Sequence, residues 1–177
     1  MKERKFVFFD LETTGLSPVE DRVIQFACHI LEEEKFTDSV DIYINPGIEL
    51  SPKIEELTGI TNDFLRNNSK VLTEETAFEI IRKVIEEADI LVGHNIICFD
   101  IPFLQEMYRR NGSVFPEKNT IDTLVLARNM LNSPSNKLSY LVENVVKKAG
   151  YNYHNACGDV CATVELYKFL KKQFGLN

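Results

Sequence analysis

The stretch Phe6-Val7-Phe8-Phe9-Asp10-Leu11-Glu12 decides the fold and the chemistry. Its apolar run is typical of a buried β-strand, and Thr14-Gly15-Leu16-Ser17-Pro18 follows as a turn. Asp10 and Glu12 are two residues apart, so both side chains leave the same face of the strand. Two converging carboxylates suit Mg²⁺, which prefers oxygen ligands, although solvated carboxylates at a strand end remain the alternative.

Outward from this strand, four further apolar runs predict more strands, and amphipathic segments between and after them predict helices. Strands come first as an antiparallel group and then alternate with helices, so we expect one α/β domain over residues 1–177, with a mixed five-stranded sheet flanked by helices. The predicted strands cover residues 6–9, 22–31, 37–44, 90–93 and a short run around Ile121. The predicted helices begin after Ser51, Thr61 and Thr73 and cover residues 100–110, 123–131, 137–149 and 156–174.

Composition limits the classes of function. The 177 residues are 44% apolar and 27% charged, which is ordinary for a globular domain. No apolar run approaches the roughly 20 residues of a membrane span, so we expect a cytoplasmic protein with no membrane partner. The net charge of −7 argues against binding nucleic acid by bulk electrostatics. It does not argue against binding the end of a nucleic-acid strand through bound cations.

The four cysteines show no CxxC pair, and we expect reduced thiols. Cys157 and Cys161 are four residues apart and could share a helix face, where zinc is conceivable. No nearby His or Cys in the sequence completes a ligand set, so the pair is predicted to be core thiols.

Two more segments carry candidate functional groups. Asp100 lies where a helix begins after a buried strand, and its alternative role is a helix N-cap. His154 precedes Asp159 by five residues across a loop-to-helix junction, which lets an imidazole stand near a metal-binding carboxylate. A plain surface histidine is the alternative there. Gly158 inside this helix costs about 1 kcal/mol and predicts a close backbone approach.

Taken in order, these segments resemble the DEDDh family of 3′-to-5′ exonucleases, a ribonuclease H-like group that includes polymerase proofreading subunits, ribonuclease T and oligoribonuclease. The segments that match, over nearly the whole chain, are residues 8–16, Leu57-Thr58-Gly59-Ile60-Thr61, His94-Asn95 with Phe99-Asp100, Ile121-Asp122-Thr123, and His154 with Asp159. A tyrosine-type relative would carry Tyr at position 155, where this chain has Asn155, so the histidine type is predicted.

The resemblance implies a hydrolase that releases nucleoside 5′-monophosphates with two Mg²⁺ ions, for which Mn²⁺ would substitute. Asp10, Glu12, Asp100 and Asp159 would be the metal ligands, and His154 would be the general base. Neutral imidazole is the form that accepts a proton, so activity is expected to fall on acidification.

The resemblance also implies contacts with a single-stranded 3′ end. Thr13 and Thr14 would meet the terminal nucleotide, and Leu16 would wedge against the last bases with help from Ile60, for which core packing is the alternative. His94 and Asn95 are further candidates for substrate binding. The basic residues that could follow the backbone, if they are not simply solvated, are Arg109, Arg110 and Lys137.

Two departures from the family pattern stand out. Three residues separate Asn95 from Phe99, where two are expected, and Gln25 stands where many relatives carry Glu. Several functions stay open. DNA is favoured over RNA as substrate, with a role as a polymerase proofreading subunit, and an RNA-trimming enzyme is the main alternative. An inactive nucleic-acid- or protein-binding module and a phosphoesterase for small molecules are less favoured.

Overall fold

A computed structural model describes residues 4–32 and 35–175. Its mixed sheet confirms the predicted fold class and has the order β3-β2-β1-β4-β5. The first three strands pair antiparallel, whereas β4 and β5 run parallel to β1. Glu33 and Glu34, expected in the β2–β3 hairpin, lie outside the described residues. The strands are β1 Lys5–Thr13, β2 Val23–Glu32, β3 Lys35–Tyr43, β4 Ile90–Gly93 and β5 Asn119–Asp122.

The helices start largely where the sequence predicted. Ser51, Thr61 and Thr73 each cap a helix by accepting a hydrogen bond from a first-turn amide. Among the described residues, none of the helices combines the length and the apolar content that crossing a bilayer requires. The helices are α1 Pro52–Thr58, α2 Asn62–Asn67, α3 Glu74–Glu87, α4 Asp100–Arg110, α5 Thr123–Met130, α6 Leu138–Leu141 and α7 Ala156–Phe174.

The predicted helix over residues 137–149 is partly wrong. α6 passes into a π-helical segment, Val142–Val146, which ends at Lys147 with φ of 64°. The amide of Lys148 then donates to the carbonyl of Val142, which closes the helix before the expected stop at Gly150. Buried Leu141 and Val142 hold this wider turn against α7, so packing overrides the longer helical pattern.

Two apolar layers cover the sheet and determine where β1 places its acids. Val7, Phe9 and Leu11 pack in the main core with α3 and α4. Phe8 points the other way and packs against α7. Because strand side chains alternate, Asp10 and Glu12 lie on the α7 face as well. β1 also extends to Thr13, so both acids lie within the strand rather than at its end.

Candidate active site

Three carboxylate side chains converge between β1 and α7. Carboxylate oxygens of Asp10, Glu12 and Asp159 all lie within 4.8 Å of one another. β1 supplies two of them by its alternation, and the first turn of α7 presents the third across the same face. Three converging oxygen donors are a ligand set that Mg²⁺ and Mn²⁺ accept.

Asp100 joins this group through the backbone of β1. Its Oδ1 accepts a hydrogen bond of 3.0 Å from the amide of Leu11. β4 pairs with β1 only as far as Phe8, so Leu11 lies beyond the paired stretch and Asp100 satisfies its amide. The N-cap interpretation of Asp100 is wrong, because Phe99 occupies the cap position without a side-chain cap and Asp100 is the first residue of α4.

Crowding of these acids opposes their ionisation. Burial, followed by the charges of Asp100, Asp159 and Glu12, raises the pKa of Asp10 well above its usual value. Burial also raises the pKa of Glu12 to about 8, of Asp100 to about 7 and of Asp159 to about 6. The ionised cluster is therefore unfavourable without a cation, which fits a divalent metal site.

The metal-free protein should lose stability as the pH rises from about 5 to about 8. Each of these carboxyl groups keeps its proton to a higher pH in the folded chain than in the unfolded chain, where the pKa is near 4. The folded state thus binds more protons in this window, and the stability they confer disappears as the pH passes through the raised pKa values. Thermal melts in EDTA at a series of pH values measure this loss.

Saturating Mg²⁺ should raise the melting temperature more at pH about 8 than at pH about 5, because bound cations replace the lost protons. The Glu12→Gln variant is the matched control and should flatten the profile in EDTA. Equal Mg²⁺ effects at both pH values would contradict this account.

The loop before α7 presents His154 in a strained backbone conformation. His154 is exposed and has φ of 60°, a left-handed geometry that costs a non-glycine residue about 1–2 kcal/mol. Its amide donates to Oδ2 of Asp159 at 3.1 Å, so the carboxylate that lies in the cluster also fixes the loop.

Gly158 explains how the loop comes so close to α7. A Cβ at this position would lie 2.0 Å from the carbonyl oxygen of Asn152. The close backbone approach predicted for Gly158 is therefore confirmed, and it lets the loop fold back over the first turn of α7.

Two of the acids and His154 open onto one cleft. This cleft has a volume of about 690 Å³, and its walls include Asp10, Asp159 and His154. His94 and Asn95, expected from the sequence to bind substrate, line the same cleft. Tyr153, which was not predicted from the sequence, also forms part of the cleft wall.

The extra residue between Asn95 and Phe99 is absorbed in the turn before α4. Asn95 has φ of 69°, and the amide of Ile101 bonds to the carbonyl of Ile96 five residues back. This wider π-type turn takes up one residue without shifting Asp100 out of the cluster.

Asp122 holds the other side of that turn. Its carboxylate accepts from the amides of Asn95 and Ile97 at 2.9 and 3.1 Å, and it caps α5 through Leu124. Asp122 is thus a supporting residue for the cleft wall.

The expected substrate contacts divide into accessible and occupied residues. Leu16 is 84% exposed and free to meet a base. Thr13 is buried and donates to the carbonyl of Gly15, and the Thr14 hydroxyl donates to Asp21, so both hydroxyls already shape the turn. Ile60 was expected to help Leu16 contact the bases, with core packing as the alternative. It is 4% exposed and packs in a small core with other apolar side chains, which fits the alternative.

Two of the three basic candidates are already paired with acids. Arg109 pairs with Glu106, and Arg110 pairs with Glu74 on α3, so neither is a free cation at the cleft. Lys137 does line the cleft, together with Arg128 of α5, which the sequence analysis missed. Among the ion pairs of the described residues, none involves these two cations. Arg128 lies in α5, which begins directly after Asp122, and this position was the sequence signal that it could reach the cleft.

Gln25 links β2 to the start of α7. Its Nε2 donates to Asp41 at 2.7 Å, while its Oε1 accepts from the Ala156 amide at 3.2 Å. Asn155, the N-cap of α7, contacts the same oxygen at 3.4 Å. Gln25, which stands where many relatives carry Glu, therefore forms a polar link that needs both a donor and an acceptor.

Replacing Gln25 by Glu should destabilise the fold by about 1–3 kcal/mol at neutral pH. The substitution keeps the acceptor for Ala156 but removes the donor and places a carboxylate against Asp41. Denaturant unfolding in the presence of Mg²⁺ measures the change. Gln105→Glu, on the exposed face of α4, is the matched control and should lie within about 0.5 kcal/mol of the wild type. A wild-type unfolding midpoint for Gln25→Glu would refute this role.

Comparison with known proteins places this cleft in a family context. The model of the family described as Exonuclease (RNase_T) matches residues 7–167. The chain is 37% identical to the PolC-type DNA polymerase III of Pediococcus pentosaceus over 175 residues, which cover 97% of this chain and 12% of that protein. It is 40% identical to the Bacillus subtilis protein of the same name over 131 residues, which cover 72% of this chain and 9% of the relative.

Among solved structures, a zinc-bound complex of E. coli exonuclease I with single-stranded DNA superposes with a TM-score of 0.86 at 23% identity. The match covers 98% of this chain and 42% of that chain, and it shows a shared fold. The chain spans about a tenth of the length of the curated relatives.

Proposed function

Because this chain belongs to the RNase_T exonuclease family, we propose that it removes nucleoside 5′-monophosphates from the 3′ end of single-stranded DNA. One observation carries the proposal: oxygens of Asp10, Glu12 and Asp159 converge within 4.8 Å, and the cleft that Asp10 and Asp159 line also holds His154. A hydrolase for phosphodiesters needs cation ligands and a proton acceptor on one substrate path, and this cleft offers both.

Mg²⁺ is the proposed cofactor, with Mn²⁺ as a substitute. The residues fit, because three carboxylates converge, and burial together with the charge of a fourth acid, Asp100, raises the pKa of Asp10. When bound, the cations supply Lewis-acid chemistry by neutralising charge on the phosphate oxygens.

The chain's own groups then divide the remaining work. His154 accepts the proton of the attacking water, since it is exposed on the cleft and its loop is fixed by Asp159. Asp100 accepts a hydrogen bond from the Leu11 amide, which ties the start of α4 to β1 and keeps the carboxylate cluster compact. Exposed Leu16 packs on the last bases, while Arg128 and Lys137, which line the cleft, contact backbone phosphates.

The relatives favour DNA as the substrate. They are PolC-type DNA polymerases III, and the solved structure of similar fold is a complex with single-stranded DNA. We further propose a proofreading role beside a DNA polymerase subunit, supported by this similarity to a segment of a replicative polymerase.

The test uses 5′-labelled single-stranded DNA and RNA of the same sequence, with Mg²⁺, Mn²⁺ or EDTA. The expected result is a metal-dependent ladder that shortens from the 3′ end, faster for DNA, with 5′-monophosphates as products. Circular single-stranded DNA, which has no end, is the control and should stay intact. Faster loss of RNA would reassign the substrate, and hydrolysis of small phosphate esters alone would overturn the exonuclease assignment.

A further inference from the structure

A second cluster of metal-ligating side chains lies between β2 and α7 and shares no residue with the carboxylate group. His29 of β2 and Cys157 and Cys161 of α7 bring their ligating atoms within 4.8 Å of one another. The Cys161 sulfur is 3.9 Å from Nε2 of His29. All three residues are partly exposed, so an ion from solvent can reach them.

The fold builds this cluster from two regular periodicities. Side chains of β2 alternate, so His29 shares the α7-facing side of the strand with Ala27 and Leu31, which pack against that helix. Cys157 and Cys161 are one helical turn apart and therefore occupy one face of α7. The His29 ring also packs edge-on against Phe36, with centroids 5.2 Å apart, which restricts its orientation.

The structure fits the expectation that Cys157 and Cys161 are core thiols only in part, since Cys157 does pack against the apolar cluster of β1 and α7. Both are partly exposed rather than buried. The missing ligand comes from β2, at a sequence separation of 132 residues from Cys161, where local sequence spacing could not reveal it.

The distances are close to those of a tetrahedral zinc site. With Zn–S of about 2.3 Å and Zn–N of about 2.0–2.1 Å, tetrahedral angles place a sulfur and a nitrogen ligand about 3.6 Å apart. The observed Cys161–His29 distance of 3.9 Å needs only a small closure. Two sulfur ligands should lie about 3.8 Å apart, and every pair here already lies within 4.8 Å.

We propose that His29, Cys157 and Cys161 bind one Zn²⁺ ion, with water in the fourth position. Thiolate and imidazole ligands select zinc, whereas the carboxylates of the catalytic cleft select Mg²⁺ and Mn²⁺. The bound ion ties β2 to the first two turns of α7. Since Asp159 lies between the two cysteines in that helix, zinc also steadies the catalytic helix.

The test is Co²⁺ and Zn²⁺ binding to metal-free, reduced protein. Co²⁺ should give intense thiolate-to-metal charge-transfer absorption, which carboxylate ligands do not produce, and one equivalent of Zn²⁺ should abolish it. Zn²⁺ should also raise the melting temperature. Cys161→Ser and His29→Gln should each weaken Zn²⁺ binding, in competition with a chromogenic chelator, by at least the roughly 10–100-fold that loss of a residue behind the ligands costs.

Two variants separate this site from other metal binding. Cys98→Ser removes an exposed thiol elsewhere and should keep both the Co²⁺ spectrum and the zinc affinity. Asp10→Asn removes a cleft ligand and should keep them as well. Absence of charge-transfer absorption in the wild type would overturn the proposal, as would wild-type zinc affinity in Cys161→Ser. Zinc-dependent stabilisation that disappears only in Asp10→Asn would do the same.

Discussion

Replacing Asp10 by asparagine should lower exonuclease turnover by about 10³-fold or more. Its carboxylate lies within 4.8 Å of the ligand oxygens of Glu12 and Asp159, and the charge of Asp100 also acts on it. Asp10 would hold the proposed cations, so its loss would remove several kcal/mol of charge stabilisation at the phosphate, and each 1.4 kcal/mol is a factor of ten in rate. The rate of ladder formation on labelled DNA at saturating Mg²⁺ measures the loss.

The same substitution should make the metal-free protein more stable, because burial and neighbouring acids raise the pKa of Asp10 and asparagine avoids the free-energy cost of protonating or ionising a carboxylate there. A higher melting temperature in EDTA, together with lost activity, would separate a catalytic defect from misfolding. Asp38→Asn, at an exposed position of β3, is the matched control and should leave the rate unchanged. More than a tenth of wild-type activity in Asp10→Asn would contradict the assigned role.

Replacing His154 by asparagine should lower turnover by about 10²–10⁴-fold, the usual contribution of a positioned general base. Asparagine tolerates the left-handed conformation at position 154, so the change removes the imidazole with little effect on the backbone. Single-turnover rates at saturating Mg²⁺ measure the effect.

Two readouts and one control variant identify the loss as one of proton transfer. The Mg²⁺-induced rise in melting temperature should persist in His154→Asn, since the carboxylates are intact. Imidazole added to the buffer should restore part of the rate. Asn152→Ala, an exposed change in the same loop, should behave like the wild type. A full wild-type rate in His154→Asn would assign the proton to another acceptor.

Sequence patterns were sufficient where local periodicity governs structure. The apolar run at residues 6–9 predicted β1, and the helix caps at Ser51, Thr61 and Thr73 were confirmed. The alternation of β1 placed Asp10 and Glu12 on one face, as the structure has them. These features depend on neighbours within a few residues, which a sequence displays directly.

Features set by packing between distant segments could not be predicted. Asp100 bonds to Leu11 because β4 stops short of it, which depends on strand register. Ile60 is buried in a cluster with Ile24 of β2 and Leu65 of α2, and α6 continues as a π-helix against α7. His29 approaches Cys161 only after β2 and α7 pack together. None of these contacts leaves a periodic trace in the sequence.

The backbone conformation of His154 places this protein's activity in conflict with any selection for heat resistance alone. Glycine would adopt a φ of 60° without strain, and an amide at position 10 would relieve the acidic cluster. A library screened in EDTA for the highest melting temperature should therefore enrich glycine or asparagine at position 154 and asparagine at position 10. The variants that such a screen selects would be more stable and would have lost the proposed exonuclease activity.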